Sequence, residues 1–192
     1  RPDDAGDISP AGLPRQRLAY DELLAGQLAL GLVRQSFKAQ SGRAISGDGR
    51  LRNKIREALP FQLTGSQVNA LAEISEDMSA PRRMLRLLQG DVGSGKTVVA
   101  LMAMAAAVEA GAQAALMAPT EVLARQHQET IAPLAEKAGL RIGLLTGREK
   151  GKARKEILLA LDAGLIDILI GTHALFQSEV VFKDLAFAVI DE

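Results

Sequence analysis

Eight residues, Gly90-Asp91-Val92-Gly93-Ser94-Gly95-Lys96-Thr97, leave this chain less freedom than any other stretch. They match G-x-x-x-x-G-K-[ST] and lie between a strand-like apolar run at 84–89 and a helix-like apolar run at 98–108. That strand-loop-helix setting gives the spacing its physical meaning. Glycines let the backbone curl through conformations barred to residues with a β-carbon, so successive N–H groups converge on phosphate oxygens. The helix opening near Lys96 adds the positive end of its dipole. Lys96 is suited to the terminal phosphates, and Thr97 brings a hydroxyl of the hard-oxygen kind that Mg²⁺ prefers. Gly90, Gly93, Ser94, Gly95, Lys96 and Thr97 are therefore candidate nucleotide-binding residues, with Lys96 also catalytic and Thr97 also a metal ligand.

The surrounding pattern is α/β. Residues 1–14 mix Pro, Asp and Gly without periodicity and read as a flexible lead-in. From 15 to about 39, Leu18, Leu24, Leu28, Leu32 and Val33 recur at helical spacing, predicting one long helix in need of a packing partner despite Gly26 and Gly31. A loop at 41–49 and a short basic helix at 51–58, ending before Pro60, complete an α-helical linker segment over 15–59. Thr64-Gly65-Ser66-Gln67 fits a capping box and starts the next helix. Beyond Pro81, strand-like runs at 84–89, 113–118, 141–146, 166–170 and 186–190 alternate with helix-like runs at 98–109, 122–138 and 153–161. Such alternation predicts a parallel sheet with helices on both faces, with ligands beyond the carboxyl ends of the strands.

Composition narrows the function. At 192 residues and 47% apolar content the chain supports a full core, which excludes disorder throughout. With 23 basic and 23 acidic residues, any polyanion site must be a local patch. There is no cysteine for a disulfide or thiolate site, and two separated histidines disfavour zinc. No apolar run reaches the ~20 residues of a membrane span and no apolar signal core opens the chain, so the expectation is a cytoplasmic protein without membrane contact.

The chain ends Ala188-Val189-Ile190-Asp191-Glu192, an apolar strand delivering two carboxylates. Alone this is a weak signal that fits a solvated strand end. Downstream of Lys96 it reads as the second half of a nucleotide site, in which Asp191 holds Mg²⁺ through water and Glu192 orients or deprotonates the attacking water.

Taken in order, Gly90 to Thr97, Ala118-Pro119-Thr120-Glu121, Thr146-Gly147, Gly171-Thr172-His173 and Asp191-Glu192 resemble the motifs of the first RecA-like domain of superfamily 2 helicases. Within that superfamily, Leu88 to Thr97, Ala118 to His127, Leu144-Leu145-Thr146-Gly147, Pro60 to Gln67 and Leu18 to Leu24 resemble the bacterial branched-DNA helicases, a likeness over about 15–192. The resemblance implies a RecA-like P-loop NTPase domain over 60–192, truncated after Asp-Glu, in a protein that uses ATP and Mg²⁺ on branched or forked DNA. It also implies a second RecA-like domain and a wedge domain outside this sequence, a monomer, and a fragment that binds nucleotide without unwinding DNA. Transcription-repair coupling translocases share several of these segments. A reading of another class is a non-hydrolytic, nucleotide-responsive interaction module whose long N-terminal helix docks a partner.

The resemblance also assigns roles. Gln67 matches the glutamine that reads adenine, its amide offering both a donor and an acceptor, and Phe61 matches a residue that packs on the base. Gln67 equally completes the capping box, and Phe61 equally suits a core. Pro119, Thr120, Arg125, Gln126, Thr146, Gly147, Gly171, Thr172 and His173 match the grip on one nucleic-acid strand, which is sequence-tolerant when made by backbone amides and hydroxyls. For Thr120, Arg125 and Thr172 the alternative is helix capping or solvated surface, and His173 suits the ordering of a turn. The run 148–155 is the best basic patch, with Arg148 and Lys150 as phosphate contacts or a solvated helix face. Arg50, Arg52, Lys54 and Arg56 form a weaker cluster that reads as solvated.

Overall fold

The computed structural model of the chain describes residues 12–191, which fall into two compact units. The first comprises residues up to Gly42 together with Arg82–Leu85. Its main element is α1 (Leu13–Ala39), which starts earlier than the predicted 15 because Pro14 fits the first helical turn, where no N–H is needed. Leu18, Leu24, Leu28, Leu32 and Val33 are all exposed along it. Ser41 forms an antiparallel bridge to Arg82, and a β-carbon on Gly42 would lie 2.4 Å from the Arg82 carbonyl carbon, so glycine is required at that approach. Of the predicted lead-in, residues 1–11 lie outside the described residues.

The second unit holds α2 (Arg50–Ala58), α3 (Gly65–Ser79), α4 (Lys96–Glu109), β1 (Gln113–Met117), α5 (Glu121–Ala138), β2 (Ile142–Leu145), α6 (Gly151–Asp162), β3 (Ile168–Gly171), a 3₁₀ turn (His173–Phe176) and β4 (Leu185–Ile190). The four strands are parallel in the order β2-β3-β1-β4. Alternation along the strands sorts side chains onto two faces. Leu144, Ile168 and Ile170 join α2, α4 and α5 in one core cluster, whereas Leu145 and Leu169 join Leu161 of α6 in another. The α/β architecture with helices on both faces is thus present. At its centre, α4 buries Val98, Val99 and every residue from Leu101 to Ala107, as a helix apolar on all sides must.

One predicted strand is absent. Residues 83–91 carry no regular structure, so the phosphate loop is not introduced by a strand paired into the sheet. An apolar run becomes a strand only beside a hydrogen-bonding neighbour. Here Arg86 ties the run to α3 through Glu73 (2.5 Å) and Asp77 (2.7 Å), and Leu85 and Leu87 remain exposed. β4 correspondingly pairs with β1 alone among the described residues.

Candidate nucleotide and nucleic-acid site

The glycine loop adopts the geometry its sequence demands. Gly93 and Gly95 both sit at φ 81°, where a β-carbon is strained, and Gly95 is the N-cap of α4. The Lys96 ammonium donates to two carbonyls of its own loop, Gly90 O at 2.6 Å and Asp91 O at 3.0 Å. Ser94 lies against Gly90, so close that a β-carbon there would come within 2.6 Å of its Oγ. Thr97 is half-buried in the first turn of α4.

Gln67 couples this loop to α3. Its backbone N–H donates to Thr64 Oγ1 (3.3 Å) while its Oε1 accepts from the Thr64 N–H (2.9 Å), completing the capping box. Its Nε2 donates to Ser94 O at 2.9 Å, and a β-carbon on Gly95 would meet that nitrogen at 2.4 Å. The capping reading is therefore realised, with the amide nitrogen turned onto the phosphate loop. Phe61 is 49% exposed and does not belong to the core, where Leu59 and Leu63 pack instead.

Parallel strands put the remaining motifs on one edge. Gly171 is in register with Met117 and Leu145, and Met117 with Ile190, so Ala118, Thr146, Thr172 and Asp191 all leave the sheet at its carboxyl end. The Asp191 N–H donates to Met117 O at 2.8 Å. Its Oδ2 lies 2.6 Å from His127 Nε2, a partner the sequence reading did not single out. The helical phase of α5 from its Thr120 cap was the only signal for it. Glu192 lies outside the described residues.

The residues assigned to strand gripping occupy three environments. Pro119, Thr120, Gln126, Gly147, Arg148, Lys150 and His173 are exposed, and Thr120 Oγ1 accepts from the Leu123 N–H at 3.3 Å as the α5 cap. Gly171 and Thr172 are buried. Thr146 is fully buried, and both its N–H and its hydroxyl donate to Glu149 Oε2 at 2.6 Å. Arg125 reaches Glu149 Oε1 at 3.0 Å, and Arg148 reaches Glu121 at 2.9 Å. Burial pushes the Glu149 carboxyl up, but hydrogen bonds from Thr146 and Arg125 outweigh it and hold the group below the usual carboxylate range. Of the other basic residues, Arg154 pairs with Glu179, while Arg52 pairs with the buried Glu109 rather than facing solvent alone.

A cavity of about 400 Å³ opens at the opposite end of the sheet, lined by residues including Gln113, Arg141, Asp167 and Lys183. Arg141 is ion-paired there to Asp167 at 2.6 Å, and none of the sequence motifs reaches it. No described helix is long and apolar enough to cross a membrane.

Residues 64–192 match the DEAD/DEAH box helicase family model. Along 183 residues the chain is 49% identical to the ATP-dependent DNA helicase RecG of Bacillus subtilis (strain 168), covering 94% of this chain and 26% of that protein. It is 43% identical over 187 residues to RecG of Escherichia coli (strain K12), covering 97% of this chain and 27% of that one. A solved structure of RecG bound to a three-way DNA junction superposes with a TM-score of 0.83 at 43% identity, over 93% of this chain and 24% of that chain. A hypothetical ATP-dependent RNA helicase from Sulfolobus tokodaii shares the fold alone, with a TM-score of 0.56 at 19% identity over 76% of this chain and 41% of that chain. The chain spans about a quarter of the length of the curated relatives it matches.

Proposed function

Because the chain belongs to the DEAD/DEAH box helicase family, we propose that it is the ATP-binding motor half of an ATP-dependent DNA helicase that acts on branched or forked DNA. The observation that carries this reading is the glycine loop, with Gly93 and Gly95 at positive φ and its amides ending on α4, in a chain 49% identical to RecG. The second RecA-like domain and the wedge domain are proposed for the rest of the longer protein, and the motor is proposed to be a cytoplasmic monomer. The 192-residue chain by itself binds nucleotide but turns it over slowly, since an arginine finger supplied by a second domain is worth roughly 10³–10⁵ in rate in related phosphoryl transfers.

Binding requires this chain's own contacts to be exchanged. Lys96 gives up Gly90 O and Asp91 O for the terminal phosphates, and Gln67 gives up Ser94 O for the edge of adenine, with Phe61 against the base. No group of three or more His, Cys, Asp or Glu side chains among the described residues makes a protein-only metal cage. Mg²⁺ takes one or two protein oxygens and completes its shell with water and phosphate. Thr97, and Asp191 through water, would hold the ion, and bound Mg²⁺ would offset charge on the transferring phosphoryl group. Glu192 is the residue proposed to orient the attacking water.

His127 holds Asp191 Oδ2 and leaves the other carboxylate oxygen for the metal shell. Outer partners of this kind typically account for 10–100-fold in metal affinity. H127A is therefore expected to raise the Mg²⁺ concentration that half-saturates binding of a fluorescent ATP analogue by about tenfold; an unchanged Mg²⁺ titration removes His127 from the site.

The functional reading is tested by ATP hydrolysis in the full-length protein. The rate is expected to rise when forked DNA is added and to vanish in K96A with or without DNA. Equal rates with and without forked DNA overturn the helicase assignment.

A further inference from the structure

Glu149 is the one acid in the basic run 148–155, yet it is the hub of the surface assigned to nucleic acid. One of its oxygens takes both the N–H and the hydroxyl of Thr146, each at 2.6 Å, and the other takes the Arg125 guanidinium at 3.0 Å. A backbone amide, a hydroxyl and a guanidinium converging on one anion form the donor set that proteins offer to a phosphodiester oxygen. The set is built into the fold, because Thr146 is 0% exposed at the end of β2. Nearby, Glu121 takes Arg148 at 2.9 Å, and its other oxygen would lie 3.0 Å from a β-carbon on Gly147. These two arginines and two glutamates cancel, so this quartet adds no net positive charge to the basic run around it. Arg125 Nε is buried without a hydrogen-bond partner, so its guanidinium is incompletely satisfied in this arrangement.

We infer that the Glu149 carboxylate is an internal stand-in for a nucleic-acid phosphate, seated on Thr146 and Arg125, and that a strand phosphate takes the same seat only by displacing it. This rests on the strand-gripping reading of Thr146 and Arg125 under the proposed function. The hydrogen bonds that hold Glu149 below the usual carboxylate range keep it ionised at neutral pH, so it competes as a full anion. Affinity at this seat is then set by exchange of one anion for another rather than by patch charge. Isolated phosphates gain little from the exchange, whereas a strand presenting several phosphates in register gains more.

The test is anisotropy of a 5′-labelled oligo(dT) with the full-length protein at fixed salt. E149Q removes the charge but keeps an amide oxygen for the Thr146 N–H, and binding is expected to tighten about tenfold, the scale of one charge-assisted hydrogen bond. E149D keeps the charge but withdraws it by one carbon–carbon bond, about 1.5 Å, out of reach of the seat. It is expected to tighten binding as well, and adding R125Q should cancel either gain. Tightening in E149Q alone reduces Glu149 to a long-range repulsive charge and overturns the inference, as does unchanged affinity in both variants. If R125Q and T146V also leave wild-type affinity unchanged, the strand-gripping reading of this seat falls with it. Thermal melts of each variant separate these outcomes from misfolding.

Discussion

K96A is expected to weaken MgATP binding by roughly a hundredfold or more, the cost of removing one partner of a desolvated charge pair. The magnitude is a difference between two effects. The ammonium clasps Gly90 O and Asp91 O of its own loop, so its removal releases an internal restraint that bound nucleotide must otherwise break. It also removes the cation that meets the terminal phosphates. The second effect dominates, because two neutral carbonyls compete weakly with a multiply charged anion for one ammonium. K96R should recover part of the binding, since the charge is kept but its planar fork does not fit a seat shaped for a point charge. Calorimetric titration of MgATP into each variant measures the difference, with thermal melts to establish that the loop change leaves the fold intact. Affinity within twofold of wild type in K96A would mean that the loop does not hold triphosphate at all.

What the sequence made readable was what is decided locally. The capping box at Thr64 and Gln67 depends on residues three apart, and the positive-φ glycines at 93 and 95 depend on their own backbone, so both formed where expected. The periods of 2 and 3.6 were enough to place β1 to β4 and α4 to α6 within a few residues. The run at 84–89 failed because strand formation is non-local: its composition is strand-like, but Arg86 finds Glu73 and Asp77 and the run finds no ladder. Partners far apart in the chain were equally hidden. His127 and Asp191 are separated by 64 positions, and nothing near either announces the other. In sequence Glu149 is a single acid among five basic residues, and only the fold shows that Thr146 and Arg125 both turn to it.

Glu109 carries the largest expected effect on stability, for a related reason. An acid in the last turn of a helix opposes the helix dipole, so by local rules it is a poor choice for the end of α4. The fold recovers the cost. Its carboxylate is 0% exposed and accepts from the Gly49 N–H (2.9 Å), the Arg52 N–H (2.9 Å) and Arg52 Nε (3.0 Å). It thereby caps the start of α2 and fixes that helix on the C-terminal end of the one whose first turn carries Lys96 and Thr97. A β-carbon on Gly47 would lie 2.2 Å from its Oε2, so the loop before α2 is shaped around it. E109A strips the buried carboxylate from two amides and from Arg52, whose guanidinium keeps Gly47 O (3.2 Å) and Ser75 Oγ (3.4 Å) but loses its counter-charge, and removing one member of such a pair costs about 3–5 kcal/mol. In a unit of this size that corresponds to a fall of roughly 10 °C in the unfolding midpoint. E109Q keeps an acceptor for the amides and should lose less, and R52A should fall between, because Glu109 retains both amides. If scanning calorimetry finds E109A within a degree or two of wild type, α4 is held by its apolar faces alone and this buried pair contributes nothing to positioning the nucleotide loop.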